Sequence, residues 1–304
     1  MPTFPFNSAH PVPVSMAVSE ATAFVAARPG ERFCLYLADK DEDAWARSTS
    51  RVYMNELWPS LIYLPLNIAA NDLGELHRAY TFAEQAAAVI GINHTHPHKS
   101  NPVLIRRYGK ATADFLVRTP DGLQPSDLGG PAFSGWLSSL LSPAELAAAA
   151  VVIVGVGGIG TPIARSLSGA VRSLTLIEPG DRSGLVTELC PTQPGLDWCR
   201  AIADLVALPS SPLLVINASG KEGTDLAGLD RILASGCPDD RFLDLRPQIS
   251  LATVDAARAA GWQADGGEGM NLRNDYAMVA ALAASAGLPK IGFTHFAELV
   301  HRAS

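Results

Sequence analysis

Short, wholly apolar runs separated by amphipathic stretches dominate the chain. Residues 33–37 and 61–65 are apolar runs that predict strands, and 73–88 carries apolar positions at helical spacing. A strand over 89–92 then opens into the polar run 93–101. Past a Gly- and Pro-rich stretch near 125–130, residues 134–141 and 142–149 predict helices. In the second of these, Ser142-Pro143-Ala144-Glu145 supplies an N-cap, a proline in the first turn and an acid at the positive end of the dipole. Residues 151–154 are apolar throughout, as expected of a strand buried on both faces. A helix over 159–169 and strands at 174–177, 213–216 and 242–245 follow, with helical composition at 251–260 and 275–286. Alternating strands and helices predict an α/β protein with parallel or mixed sheets.

The chain has 304 residues, 48% of them hydrophobic, which is material for two domains with a boundary near residue 131. The formal net charge of −7, from 23 basic and 30 acidic residues, argues against a general nucleic-acid binder. No apolar run is long enough for a membrane span, and residues 1–14 lack the basic and apolar regions of a signal peptide. Cys34, Cys190, Cys199 and Cys237 are widely spaced with no CxxC, so they read as reduced thiols of a cytoplasmic protein.

Between the strand 151–154 and the following helix stands Gly155-Val156-Gly157-Gly158-Ile159-Gly160, a GxGxxG loop. Gly155 permits the turn, Gly157 lets a pyrophosphate approach the backbone, and Gly160 lets helix and strand pack closely. The helix N-terminus offers unpaired N–H groups to phosphate. Glu178, at the end of the next strand, can accept from an adenosine ribose and would repel a 2′-phosphate. This selects NAD. NADP is the alternative, through Arg182, which can fold back on a 2′-phosphate. A purely structural glycine turn is the plainer reading. GVGGIG with LTLIEPGD also resembles the ATP site of ubiquitin-activating-type adenylating enzymes, although their paired CxxC motifs have no counterpart here.

Asn93-His94-Thr95-His96-Pro97-His98-Lys99 is the most unusual stretch. Alternate residues of a strand share a face, so His94, His96 and His98 can converge on a metal, and HxHP resembles the zinc motif of JAB-type metalloproteases. Pro97 works against a regular strand, and the Ser and Asp of that motif do not follow. No metal is therefore expected.

Taken together, Asn93, Thr95, Pro97 and Lys99 resemble the N-V-T-x-P-x-K segment of the shikimate/quinate dehydrogenase family. Other stretches fall in the family's order. Ser48-Thr49-Ser50 with Asn55 resembles S-x-S-P-x-x-H-N. Ser126-Asp127 before Gly129-Gly130 resembles N-T-D-x-x-G. Asn217-Ala218-Ser219 with Gly223 resembles N-A-T-x-x-G, and Gly267-Glu268-Gly269-Met270 with Asn274 resembles G-x-x-M-L-x-x-Q.

The resemblance implies a substrate domain (1–130, completed by C-terminal helices 271–304) and a Rossmann-type, doubly wound parallel-sheet domain (131–270), with substrate held between them. Lys99 and Asp127 would be catalytic. Ser48, Ser50, Asn93, Thr95, Asp114 and Asn274 would meet the substrate. Gly155 through Gly160, Glu178, Asn217, Ala218, Ser219, Gly267 and Met270 would meet the cofactor. Each has a plainer reading: Lys99 as a surface lysine, Asp127 as a turn residue, Ser48 and Ser50 as helix caps, Asn93 and Thr95 as turn formers, and Asp114 as an exposed strand-end acid.

The departures matter. Asp114 stands where the family has a substrate-binding Asn, Pro125 replaces the Asn of N-T-D, and Asn274 replaces a Gln. The family's Tyr has no equivalent in Asp244-Leu245-Arg246-Pro247, and His94 and His96 replace apolar residues. The expected reaction is hydride transfer between nicotinamide and a small carboxylate-bearing hydroxy acid, ketone or imine other than shikimate. Asp114 would face an amino group, which suits a role in secondary metabolism. The expected protein is a monomer or homodimer. A non-catalytic nucleotide sensor of the same fold is the first alternative, and an ATP-dependent adenylating enzyme the second.

Overall fold

The computed structural model describes residues 16–38, 56–58, 61–94, 98–99, 101–110, 112–205, 207, 209–220, 226–234, 236–246 and 251–303. The chain divides into two compact units, Met1–Leu128 with Asp275–Ser304, and Gly129–Asn274.

The first unit holds a mixed sheet of β1 (Arg32–Ala38), β2 (Leu61–Asn67), β3 (Val89–His94), β4 (Phe115–Thr119) and β5 (Gly122–Ser126), in the order β2-β1-β3-β4-β5. β1 runs parallel to β2 and β3, and the β3–β4 and β4–β5 pairs are antiparallel. The alternation of strand side chains places Phe33, Leu35, Leu37, Ile62, Leu64, Leu66 and Ile92 on one face. They pack against Val18, Ala21 and Val25 of the helix Val18–Ala26 and against Leu76, Ala79, Tyr80 and Ala83 of the helix Leu73–Gln85. Each such fully buried side chain stabilises by roughly 1.5–3 kcal/mol.

Cys34, Tyr36, Tyr63 and Asn93 lie at alternating positions on the opposite face. There Gly91 admits no side chain, because a Cβ would stand 2.5 Å from the Phe115 ring and 3.0 Å from Leu282. Leu282 belongs to the helix Glu268–Ala286, and Tyr276 of that helix packs edge-on against Phe293 of the helix Phe293–Ala303.

The second unit is an all-parallel sheet of β6 (Ala150–Val154), β7 (Ser173–Ile177), β8 (Leu196–Cys199), β9 (Leu213–Asn217), β10 (Arg241–Asp244) and β11 (Gln263–Gly266), in the order β11-β10-β9-β6-β7-β8. The chain builds outward from β6 to β8, then returns to place β9 on the other side of β6. That reversal is the topological switch point of a doubly wound sheet. β6 is buried on both faces, with Val151 and Ile153 in one core and Ala150, Val152 and Val154 in the other.

Several elements differ from expectation. β3 runs on to His94 because the His94 N–H donates to the Asp114 carbonyl at 3.0 Å, extending the ladder beyond Ile92. The helix expected over 134–141 is Gly129–Leu137. Its glycine-rich start allows close packing, since a Cβ on Gly130 would lie 3.4 Å from Pro162 Cβ in the helix Gly160–Leu167. The Ser142–Glu145 capping box is formed at the helix Pro143–Ala148. The helix expected over 275–286 begins at Glu268.

Candidate active site

In the first unit, β3 and the segment carrying His98 and Lys99 deliver the polar residues, and the antiparallel approach to β4 brings Asp114 beside them. Lys99 Nζ lies 2.5 Å from Asp114 Oδ1, with the two side chains 21% and 10% exposed. Asp114 Oδ2 accepts from the Leu128 N–H at 2.8 Å. The carboxylate thus joins the lysine to the end of the β5 segment. The Ala113 N–H donates to the Lys99 carbonyl at 2.9 Å, so the backbones beneath the pair are also tied. Asp114 is therefore a buried acid with a cationic partner, not an exposed strand-end acid, and the cation facing it is the protein's own ammonium. Asp127, expected beside Lys99, is exposed and lies one residue before Leu128. Asn93 donates through Nδ2 to the Tyr63 hydroxyl at 2.6 Å, and burial holds the Tyr63 phenol well above its usual pKa.

His94 and His98 are both engaged by groups of the protein itself. His94 Nδ1 meets the Ala113 carbonyl at 2.9 Å and Nε2 meets the Tyr80 hydroxyl at 3.0 Å. His98 Nε2 meets the Ile68 carbonyl at 2.8 Å. Burial lowers the His94 pKa to about 4, so the ring is neutral at neutral pH. Among the described residues no group of metal-ligating side chains forms. Ser48, Ser50, Asn55, Thr95, His96, Pro97, Gly223 and Pro247 lie outside the described residues. Asn274 is half-buried, and its Oδ1 has no hydrogen-bond partner among the described residues. A buried acceptor in that state is suited to a ligand donor.

In the second unit the glycine loop leaves β6 at the switch point. Gly155 has φ +88°, and a Cβ there would stand 2.3 Å from Ser219 Cα. A Cβ on Gly160 would stand 2.0 Å from the Gly155 carbonyl oxygen. These two glycines are required by packing. Gly157 and Gly158 have nothing within 4 Å of a would-be Cβ, leaving the loop's outer side open as a pyrophosphate would need. Val156 is fully buried and Ile159 packs partly into the core.

Glu178 Oε2 accepts from the Val156 N–H at 2.9 Å, and Arg182 Nε donates to the Val156 carbonyl at 2.8 Å. The two side chains approach to 3.8 Å. A carboxylate at the end of the second Rossmann strand, held onto the glycine loop, suits a ribose diol.

At the end of β9, Asn217 is fully buried. Its Oδ1 accepts from the Ser219 N–H and hydroxyl at 3.2 and 2.7 Å, while its Nδ2 donates to Asp244 Oδ2 at 3.2 Å. Its carboxamide shapes the strand end, and the Ala218 N–H is taken by the Val154 carbonyl. Gly267 packs against the Leu245 backbone, where a Cβ would come to 2.7 Å, and Met270 is buried in the core.

Sequence reasoning missed Tyr63, Tyr80, Asn101 and the Asp244–Arg246 pair. That pair is bidentate, at 2.9 and 2.8 Å. For Asn101 a signal existed, since Asn before Pro marks a helix start, and it caps the helix Pro102–Tyr108.

No protein-family model matches the chain, and no curated protein matches it significantly. Solved structures do. The quinate dehydrogenase from Corynebacterium glutamicum in complex with NAD superposes at TM-score 0.68 with 18% identity, over 90% of this chain and 100% of that one. A shikimate dehydrogenase in complex with NADP+ gives 0.67 at 14% identity, over 90% and 96%. The 5-ketofructose reductase of Gluconobacter sp. strain CHM43 gives 0.65 at 15% identity, over 91% and 100%. The chain has the two-domain α/β fold of shikimate and quinate dehydrogenases.

Proposed function

We propose that the chain is a nicotinamide-dependent oxidoreductase of the shikimate/quinate dehydrogenase type, interconverting a small carboxylate-bearing hydroxy acid and its ketone, or reducing a carboxylate-bearing imine to its amine. The observation that carries this reading is the Lys99–Asp114 ion pair, 2.5 Å long and largely shielded from solvent, in a fold shared with dehydrogenases and a ketone reductase. A bound nicotinamide supplies or takes the hydride.

The chain's own task is the proton on the substrate oxygen. In the reducing direction Lys99 Nζ donates a proton to the oxygen that becomes the hydroxyl, and the resulting amine is reprotonated from water. In the oxidising direction the neutral amine takes that proton. Asp114 orients Nζ throughout, and its second oxygen is kept in place by the Leu128 N–H. Because Asp114 already faces the Lys99 ammonium, the substrate needs no amino group of its own. On the family resemblance alone, Asp127, Ser48, Ser50, Asn93, Thr95 and Asn274 would complete the polar surroundings.

On the cofactor side, Gly157 and Gly158 leave room for the pyrophosphate, and Glu178 favours NAD over NADP by repelling a 2′-phosphate. The test is a panel of cyclic and acyclic hydroxy acids, ketones and imines with NADH and NADPH, read by reduced-nicotinamide absorbance. Turnover with NADH that is abolished in Lys99→Ala is expected. Absence of nicotinamide binding overturns the reading, and NADH binding with no turnover favours a sensor. An NADPH preference above about tenfold, or roughly 1.4 kcal/mol, overturns the NAD assignment.

A further inference from the structure

The buried histidine of the HTHPHK stretch is absorbed neither by a metal nor by the proposed chemistry, yet it sits one hydrogen bond from the backbone under the ion pair. The Ala113 carbonyl can only accept, so His94 Nδ1 carries the proton and Nε2 is bare. The bare Nε2 then accepts from the Tyr80 hydroxyl at 3.0 Å, and the Tyr80 oxygen accepts from Asn101 Nδ2 at 3.1 Å. The same Nδ2 donates to the His98 carbonyl at 2.8 Å, and Asn101 Oδ1 accepts from the Leu104 N–H at 2.8 Å. The His94 backbone N–H holds the Asp114 carbonyl at 3.0 Å. His94, Tyr80 and Asn101 are all at most 3% exposed. The chain of bonds runs from the residue before Lys99, through Asn101, Tyr80 and the His94 ring, to the residue before Asp114.

We propose that His94, with Tyr80 and Asn101 behind it, is a positioning residue: a neutral hydrogen-bond clamp that holds the Lys99 turn and the Asp114 strand end in the register that lets their side chains pair. The inference rests on the assignment of Lys99 and Asp114 as the proton-handling pair. It replaces the metal-ligand and substrate-contact readings of His94 with a mechanical one. The clamp is directional. It needs a donor at the Nδ1 position, for the Ala113 carbonyl, and an acceptor at Nε2, for Tyr80. An apolar residue provides neither, whereas asparagine places an N–H near the Nδ1 position.

The test reads the lysine directly and needs no substrate. Trinitrobenzenesulfonate modifies free amines, and peptide mass spectrometry reports its rate at Lys99 against the exposed Lys110 and Lys290 of the same molecule. In the wild-type protein Lys99 is expected to react about tenfold more slowly than Lys110, because a carboxylate holds and shields its Nζ. His94→Val is expected to bring the two rates to within about threefold, and His94→Asn to restore most of the protection by replacing the Nδ1 donor. Tyr80→Phe, which removes only a hydroxyl and keeps the packing, should fall between, and it carries the test if His94→Val does not fold.

The proposal is overturned if wild-type Lys99 reacts as fast as Lys110, if folded His94→Val or Tyr80→Phe leaves the Lys99 rate unchanged, or if His94→Asn reacts like His94→Val. Labelling is done on the nucleotide-free protein. Failure of the oxidoreductase reading would appear only in the turnover panel, and failure of the clamp only in the labelling rates.

Discussion

Lowering the pH from 7 to 5 protonates histidine in the unfolded chain, whose ordinary pKa is about 6.5, but leaves native His94 neutral, because burial lowers its pKa to about 4. His98 and Lys99 lower it further by like charge, while Asp114 and the bond to Ala113 act the other way. Between these two values the unfolded state binds a proton that the native state does not, so stability falls as the pH falls. The contribution is fully present above about pH 6.5. The linkage relation gives a loss of about 2 kcal/mol at pH 5 and about 3 kcal/mol at pH 4. Other carboxylates and histidines also titrate, so the measurement is a difference. Native-state hydrogen exchange at Leu35 and Ile92, buried in β1 and β3, is compared at pH 7 and pH 5 in wild-type protein and in His94→Asn, which has no ring to charge. The wild type should lose about 2 kcal/mol more protection than the variant. Parallel losses within about 0.5 kcal/mol would show that His94 already titrates normally in the native state, and the buried-clamp geometry would then be wrong.

Asp114→Asn keeps an acceptor for the Leu128 N–H but removes the charge facing Lys99. It should retain the fold by circular dichroism and lose roughly 10²-fold in kcat on whichever substrate the panel identifies. Gly160→Ala would set a methyl 2.0 Å from the Gly155 carbonyl oxygen, forcing strand and helix apart. A loss of about 2 kcal/mol in urea unfolding and at least about tenfold weaker NADH binding by fluorescence are expected. Arg246→Met leaves Asp244, whose side chain is 3% exposed, without its bidentate partner. Denaturation should show destabilisation of about 3 kcal/mol, and Asp244→Asn in the same protein should recover part of it.

The fold class was legible because β6 and the glycine loop speak locally. A short all-apolar run rich in β-branched residues, with GVGGIG directly after it, marks a strand covered on both sides. The β4–β5 hairpin was not, because Arg118 and Pro125 break the alternation and the pairing is decided by the Asp114 segment reaching β3. The edge strand β8 is four residues bounded by Gly195 and Arg200, too short to announce itself. In the site, Lys99 stood out through its motif, whereas Asp114 stood out as a substrate contact and not as the partner of Lys99. Asp114 is 15 positions away and arrives only through the antiparallel β3–β4 register. The His94 clamp was invisible for the same reason. Tyr80 and Ala113 lie 14 and 19 positions away, and a histidine in an apolar strand looks the same whether it binds a metal or a carbonyl.

Lys99, Asp114 and the Leu128 amide all belong to the first unit and the Glu178 carboxylate to the second, so on the proposed function the proton-handling pair and the nucleotide contact are encoded in separate parts of the fold. On that reading, substitutions that alter the Glu178 clasp and substitutions that alter the ion pair fall on different segments of the chain. A new acid-recognising wall around an unchanged nucleotide fold is open on the same grounds. Such separability lets one architecture host unrelated metabolites while its proton chemistry is inherited whole.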